Sequence, residues 1–201
     1  MRWDSLFDDL EGQLDDELGA DDAEAGIEEE RLRRGRLMLR DRLIALSGAG
    51  SPPLALGFTD GSTARVIVMS FGKDWLVAAP EPQGGGRRPE MVVPIWAVAT
   101  LRLAPQDVER SLQPRPTPEP RLTDRLTLSF VLRDLCRRRA AVAVRLIGGD
   151  GASTVRGTID RVGRDHLDLA VHEVGLPRRA ANVSEIRVVS FAALVAVEHA
   201  A

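Results

Sequence analysis

The sequence has few of the residues that cross-link a protein or carry common catalytic chemistry. It contains one cysteine, three histidines and no tyrosine. A single cysteine excludes an intramolecular disulfide and fits a reducing compartment, so we expect a cytoplasmic protein. Its apolar runs are too short to cross a bilayer, and its acidic N-terminus is the reverse of a signal peptide. We therefore expect no membrane association.

The few histidines and the cysteine form no pattern typical of a catalytic or metal site. His166, His172 and His199 have no cysteine or carboxylate partners at metal-ligand spacing. Gly84–Gly86 precedes no predicted helix and lacks the lysine and serine of a phosphate-binding loop. For Cys136 a buried, unreactive thiol is the preferred interpretation. We find no paired nucleophile and base, and we predict a non-enzyme with no catalytic residue, metal or cofactor.

Charge is distributed unevenly along the chain. The net charge is −3, yet residues 1–30 contain 13 of the 30 acidic residues and one arginine, so the remainder is basic. Trp3, Phe7, Leu10 and Leu14 follow one another at intervals of three or four, which places them on one face of a helix. Such a helix can pack on the protein's own body or dock on a partner, and both uses stay open.

The basic remainder alternates predicted helices with short strands. Apolar alternation over residues 142–146, followed by Gly148–Gly151, predicts a strand and a tight hairpin. Five short strands over residues 142–197 predict a small barrel, because closure leaves few exposed edges. The interrupted pattern at residues 157–162 predicts a sharply bent strand.

The same order of motifs occurs twice, which predicts an internal duplication. Trp75 in the first copy corresponds to His166 in the second, so this position favours a broad packed ring over a metal ligand. The matched segments are Leu54–Leu56 with Val144–Leu146, Phe71–Leu76 with Val162–Leu167, and Val92–Ile95 with Val188–Phe191.

The predicted fold is α+β and mainly β, with two tandem five-stranded barrels, each preceded by a helix. The helices are predicted over Glu28–Leu46 and over Leu122–Arg139, the latter capped by Thr123. Five prolines over residues 104–121 predict an extended linker. The predicted divisions are 1–30 for an acidic helix and linker, 31–103 for a helix and the first barrel, 104–121 for the linker, and 122–201 for a helix and the second barrel.

Three stretches of the second copy resemble the Sm-like barrels, in which a helix precedes a strongly bent five-stranded sheet. They are Val144-x-Leu146, Gly157-x-Ile159 and Leu167–Leu169. The resemblance implies the fold and an RNA ligand. The whole layout, with its opening at Trp3–Glu11, resembles a family of uncharacterised actinobacterial proteins with two such barrels. Residues 189–191 also resemble the last strand of PRC-type barrels, which bind protein partners.

Arginine pairs occur in the corresponding loop of both predicted barrels. Arg87 and Arg88 lie in the first, and Arg178 and Arg179 lie in the second. Basic loops can contact phosphates without reading base sequence. The alternatives are solvated loops or pairing with the acidic head. The preferred function is a protein-interaction or scaffold module with a protein partner or a homo-oligomer, and RNA binding through these four arginines is the alternative.

We expect deletion of residues 1–18 to lower the melting temperature. Trp3, Phe7, Leu10 and Leu14 form one apolar stripe, and burying each contributes roughly 1.5–3 kcal/mol before ordering costs. Thermal unfolding and molar mass of the truncated and complete chains provide the measurement. Unchanged values for both would mean that this helix docks on another protein.

Overall fold

The computed structural model describes residues 26–48, 50–81, 90–113, 122–148, 151–173 and 175–200, except for the side chains of residues 151 and 152. The chain divides into two compact units, residues 1–41 and 42–201. Within the described residues, no helix is long and apolar enough to cross a membrane. The predicted site residues that lie outside this description are Trp3, Phe7, Leu10, Leu14, Arg87 and Arg88.

The helix predicted over Glu28–Leu46 is interrupted. Residues 26–35 are helical, residues 36–38 are not, and helix α1 spans Leu39–Leu46. The side chain of Asp41 accepts a hydrogen bond from the backbone N–H of Met38 at 2.9 Å. This bond gives the N–H of Met38, at the start of α1, an acceptor. In a continuous helix the same N–H would have bonded to a backbone carbonyl of the preceding turn.

Ten antiparallel strands form one continuous sheet in the second unit. Across the sheet, the order is β5-β1-β2-β3-β4-β10-β6-β7-β8-β9. The strands are β1 (Leu54–Phe58), β2 (Thr63–Phe71), β3 (Trp75–Pro80), β4 (Met91–Pro94), β5 (Val98–Arg102), β6 (Ala141–Gly148), β7 (Gly151–Val162), β8 (His166–Val171), β9 (Glu185–Ser190) and β10 (Leu194–His199).

Two further helices belong to this unit, α2 (Pro105–Leu112) and α3 (Leu128–Arg137). Helix α2 corrects the expectation of an extended linker, because proline is well tolerated in the first turn of a helix. The helix predicted over Leu122–Arg139 begins as a 3-10 turn, Leu122–Arg125, and only then continues as α3. Thr123 is therefore not the cap of α3.

The α+β class is confirmed, but the two separate barrels are not. The strand ladder runs from β5 to β9 and does not close. The halves are joined where β4 pairs with β10, with Val92 opposite Val197 and Met91 opposite Glu198. Pairing between the halves gives the outer backbone groups of both strands a partner, which barrel closure would otherwise have to provide.

The two halves of the sheet have the same strand order and the same irregularities. A bulge interrupts β2 between Val68 and Ser70, and another interrupts β7 between Ile159 and Arg161, where a bent strand was predicted. Bulges also interrupt the β1–β5 and β6–β10 pairings. One predicted match is shifted by two residues, since Leu56 and not Leu54 corresponds to Val144. Leu56 lies opposite Leu101 of β5, and Val144 lies opposite Val197 at the equivalent place in β10.

One buried cluster contains residues of both halves. Leu128 and Leu132 project from α3 onto the second half of the sheet, and Trp75 of the first half joins the same cluster. The spacing of Leu128 and Leu132 places them on one helix face. The halves therefore share apolar packing as well as backbone hydrogen bonds.

We expect Gly157→Ala to lower the free energy of unfolding by roughly 1–3 kcal/mol, the usual cost of overpacking. A Cβ at Gly157 would lie 2.1 Å from the backbone oxygen of Ala170, and a backbone atom inside a sheet cannot move aside. Chemical denaturation measures the change. Gly35→Ala is the matched control, because a Cβ there meets nothing within 4 Å; equal losses in both variants would contradict this account.

Candidate functional site

Arg178, one of the predicted phosphate-binding residues, is occupied by an ion pair. Its Nε lies 3.0 Å from Asp160 Oδ1, and its Nη2 bonds to Asp160 Oδ2. The hydrogen bond to Asp160, followed by the Coulomb attraction, raises the pKa of Arg178. Arg139 adds a third contact to Asp160, at 3.3 Å. The carboxylate thus offsets part of the basic surface that the sequence predicted.

The surroundings of Arg179 differ from those of two further arginines, Arg137 and Arg138. Arg179 is exposed just before the short 3-10 turn Ala180–Asn182. Arg137 and Arg138 both bond to Asp134, and desolvation of that carboxylate is outweighed by these bonds, so its pKa is lowered. Acidic neighbours therefore accompany Arg137, Arg138 and Arg178. Of the two predicted arginines that the structure describes, Arg179 is the better placed to meet a ligand.

The histidines and the cysteine have structural partners. The ring of His166 lies over Gly163, where an added Cβ would be 2.5 Å from Cε1, as Trp75 lies over Gly72. Buried His172 bonds through Nε2 to Thr158 and through Nδ1 to the carbonyl of Glu173, both at 2.9 Å. Since a carbonyl only accepts, Nδ1 carries the proton and Nε2 accepts from the hydroxyl. Across the described ranges, no group of three histidine, cysteine or acidic residues could hold a metal ion.

Cys136 is half-buried and points into the protein. Its thiol donates to the carbonyl of Asp160 at 3.3 Å and packs against the main apolar cluster. This placement agrees with a packing role.

The most extensive polar contacts between the halves surround one turn, residues 72–75. The carboxylate of Asp74 accepts from the first backbone N–H of α3, at Leu128, at 2.7 Å. Leu126 offers its carbonyl to the N–H of Lys73 at 2.8 Å and to the indole of Trp75 at 3.0 Å. The turn of the first half thus caps the helix of the second, which is the role the sequence assigned to Thr123.

A buried ion pair adds to this junction. The carboxylate of Asp60, in the β1–β2 turn, is fully buried, and Arg145 of β6 lies 3.2 Å from it. The guanidinium of Arg145 also lies over the ring of Phe58, 4.7 Å from its centre. Breaking such a pair by removing one partner leaves a buried charge uncompensated. The ion pair joins Asp60 of the first half to Arg145 of the second half, a contact that no sequence motif predicted.

The equivalent surfaces of the second half are exposed. Asp165, which corresponds to Asp74, has 86% of its side chain exposed, and its carboxylate bonds to the adjacent His166. That bond lowers the pKa of Asp165. Strand β9 corresponds to β4, and its Ile186 and Val188 are 52% and 65% exposed. An edge strand with large apolar side chains is a typical place for another chain to pair.

No motif in the sequence distinguishes this edge from the other strands. The apolar residues of Ile186–Val189 predict a strand, but side-chain pattern alone does not tell which strands lie at the margin of a sheet. No protein family, no curated protein and no solved structure was found to match this chain.

We expect Asp160→Asn to strengthen retention on a heparin column. The substitution removes the carboxylate that pairs with Arg178 and Arg139 and leaves two guanidinium groups for an anionic ligand. The salt concentration at elution is the measurement. Asp168→Asn on β8 removes the same formal charge at a carboxylate that forms no ion pair among the described residues, so equal shifts in both variants would contradict a local effect.

Proposed function

We propose that this chain is a non-enzymatic protein-interaction module, built from two copies of one five-stranded unit, that works in the cytoplasm. Its binding site is the β9 edge. The observation that carries this proposal is the exposure of Ile186 and Val188 on a strand whose counterpart, β4, is covered. Among the described strands, β9 has a neighbour on one side only, β8.

Backbone geometry supports strand addition at this edge. Phe191 N–H donates to the carbonyl of Asp165 at 2.8 Å, which makes His166 and Ser190 a non-hydrogen-bonded pair. Bonded and non-bonded pairs alternate in an antiparallel ladder, so the pair of Asp168 and Val188 is also non-bonded. The N–H and C=O of Val188 therefore point away from β8, toward an added strand.

RNA binding is the second candidate, and exposed Arg179 is the observation that favours it. It ranks lower because Arg178, beside it, already bonds to a carboxylate. Phosphate contacts would make affinity fall steeply with salt.

The test is affinity capture from the native cell lysate with wild-type protein and with Val188→Arg, each with and without nuclease. We expect captured proteins that resist nuclease and are lost with Val188→Arg, because a charged side chain at an edge opposes strand addition. Met69→Arg, at a 52% exposed position of central strand β2, is the matched control.

Capture that is the same with the wild-type protein and with Val188→Arg would refute the β9 site. Capture that disappears with nuclease, and with Arg179→Ala, would put RNA binding in its place.

A further inference from the structure

The junction between the halves joins two different strands, β4 of the first half and β10 of the second. Their counterparts in the other half, β9 and β5, lie at the two ends of the sheet. Each of these end strands pairs with a single described strand. A contact between two unlike surfaces repeats from molecule to molecule when both surfaces remain available.

We propose that β9 of one molecule pairs antiparallel with β5 of a second copy, so that the sheet continues head to tail. This inference rests on the proposed function in one respect, that β9 is the binding edge. It names the occupant as a second copy of this chain, because the chain already contains the same contact within itself.

The internal junction fixes the register of the contact. Val92 lies opposite Val77 of β3, and Val188 lies at the equivalent place on β9, opposite Asp168 of β8. On the other side, Val197 and Leu101 hold equivalent places in β10 and β5. Since Val92 pairs with Val197, Val188 should pair with Leu101 of the second copy.

The neighbouring pair shows how the two contacts differ. Met91 lies opposite Glu198 within the chain, and the same positions between molecules hold Arg187 and Arg102. Like charges directly opposite each other weaken a strand pair. Glu185 bonds to Arg187 and would lie diagonally from Arg102, which reduces the repulsion. The contact between molecules should therefore be weaker than the internal junction and reversible.

A second surface of the same junction is also open. Asp74 caps α3 within the chain, whereas its counterpart Asp165 is 86% exposed. Among the residues that the structure describes, the edge and the turn that the first half uses together therefore meet no equivalent strand or helix in the second half.

The test is sedimentation of the complete chain over a wide concentration range. We expect a mass that rises with concentration above the 21.9 kDa of one chain. Val188→Arg should weaken association by about tenfold or more, which corresponds to about 1.4 kcal/mol, and Met69→Arg should leave it unchanged. Arg102→Glu should strengthen association severalfold, because it restores the acidic residue that β10 has at this place.

Mixing two defective variants tests the head-to-tail arrangement itself. Val188→Arg keeps an intact β5, and Leu101→Arg keeps an intact β9. Each alone should therefore associate more weakly than the wild type, and the mixture should form a one-to-one dimer. Melting curves show whether Leu101→Arg folds. If it does not, Ala99→Arg replaces it, at an exposed position of the same strand.

Three results would overturn the inference. A wild-type mass of one chain at every concentration excludes the second copy, and the β9 site for other proteins then stands or fails by the capture experiment alone. Association that Val188→Arg leaves unchanged, or a mixture that stays monomeric, excludes this geometry.

Discussion

The pairing of β4 with β10 is the constraint on which the rest of the second unit depends. It turns two five-stranded sheets into one ten-stranded sheet. The Asp74 cap on α3, the Trp75 indole bond to Leu126 and the shared apolar cluster all lie across the same boundary. Separating the halves would expose apolar surface and leave buried polar groups without partners, so they are expected to fold as one body.

This joint also determines which strands lie at the margins of the sheet. Joining two unlike edges uses one edge of each half and leaves the other edge of each at the margin. The position that exposed Val188 holds in β9 is held in β4 by Val92, which is partly buried. The same pairing that completes the interior of the sheet therefore leaves β5 and β9 at its margins.

Much of the local structure followed from the sequence, because short-range signals decide it. The alternation from Val142 and the glycine cluster at Gly148 predicted the β6–β7 hairpin, and the irregular pattern after Gly157 predicted the bulged strand. The correspondence of Trp75 and His166 has a direct physical basis, since each ring covers a glycine that has no room for a Cβ. Helix limits were predicted less well, because Asp41 and Asp74 satisfy helix N-termini by contacts that propensity does not describe.

The sequence by itself determined the strand-rich α+β class, the position of most strands and the matching order of motifs in the two halves. Only the tertiary structure decided that the halves share a sheet, that Asp160 neutralises Arg178, and that β5 and β9 are the edges. The reason is that side-chain alternation records which face of a strand is buried. The choice of neighbour is made by backbone groups, which are the same in every residue except proline, and by contacts between residues far apart in the chain.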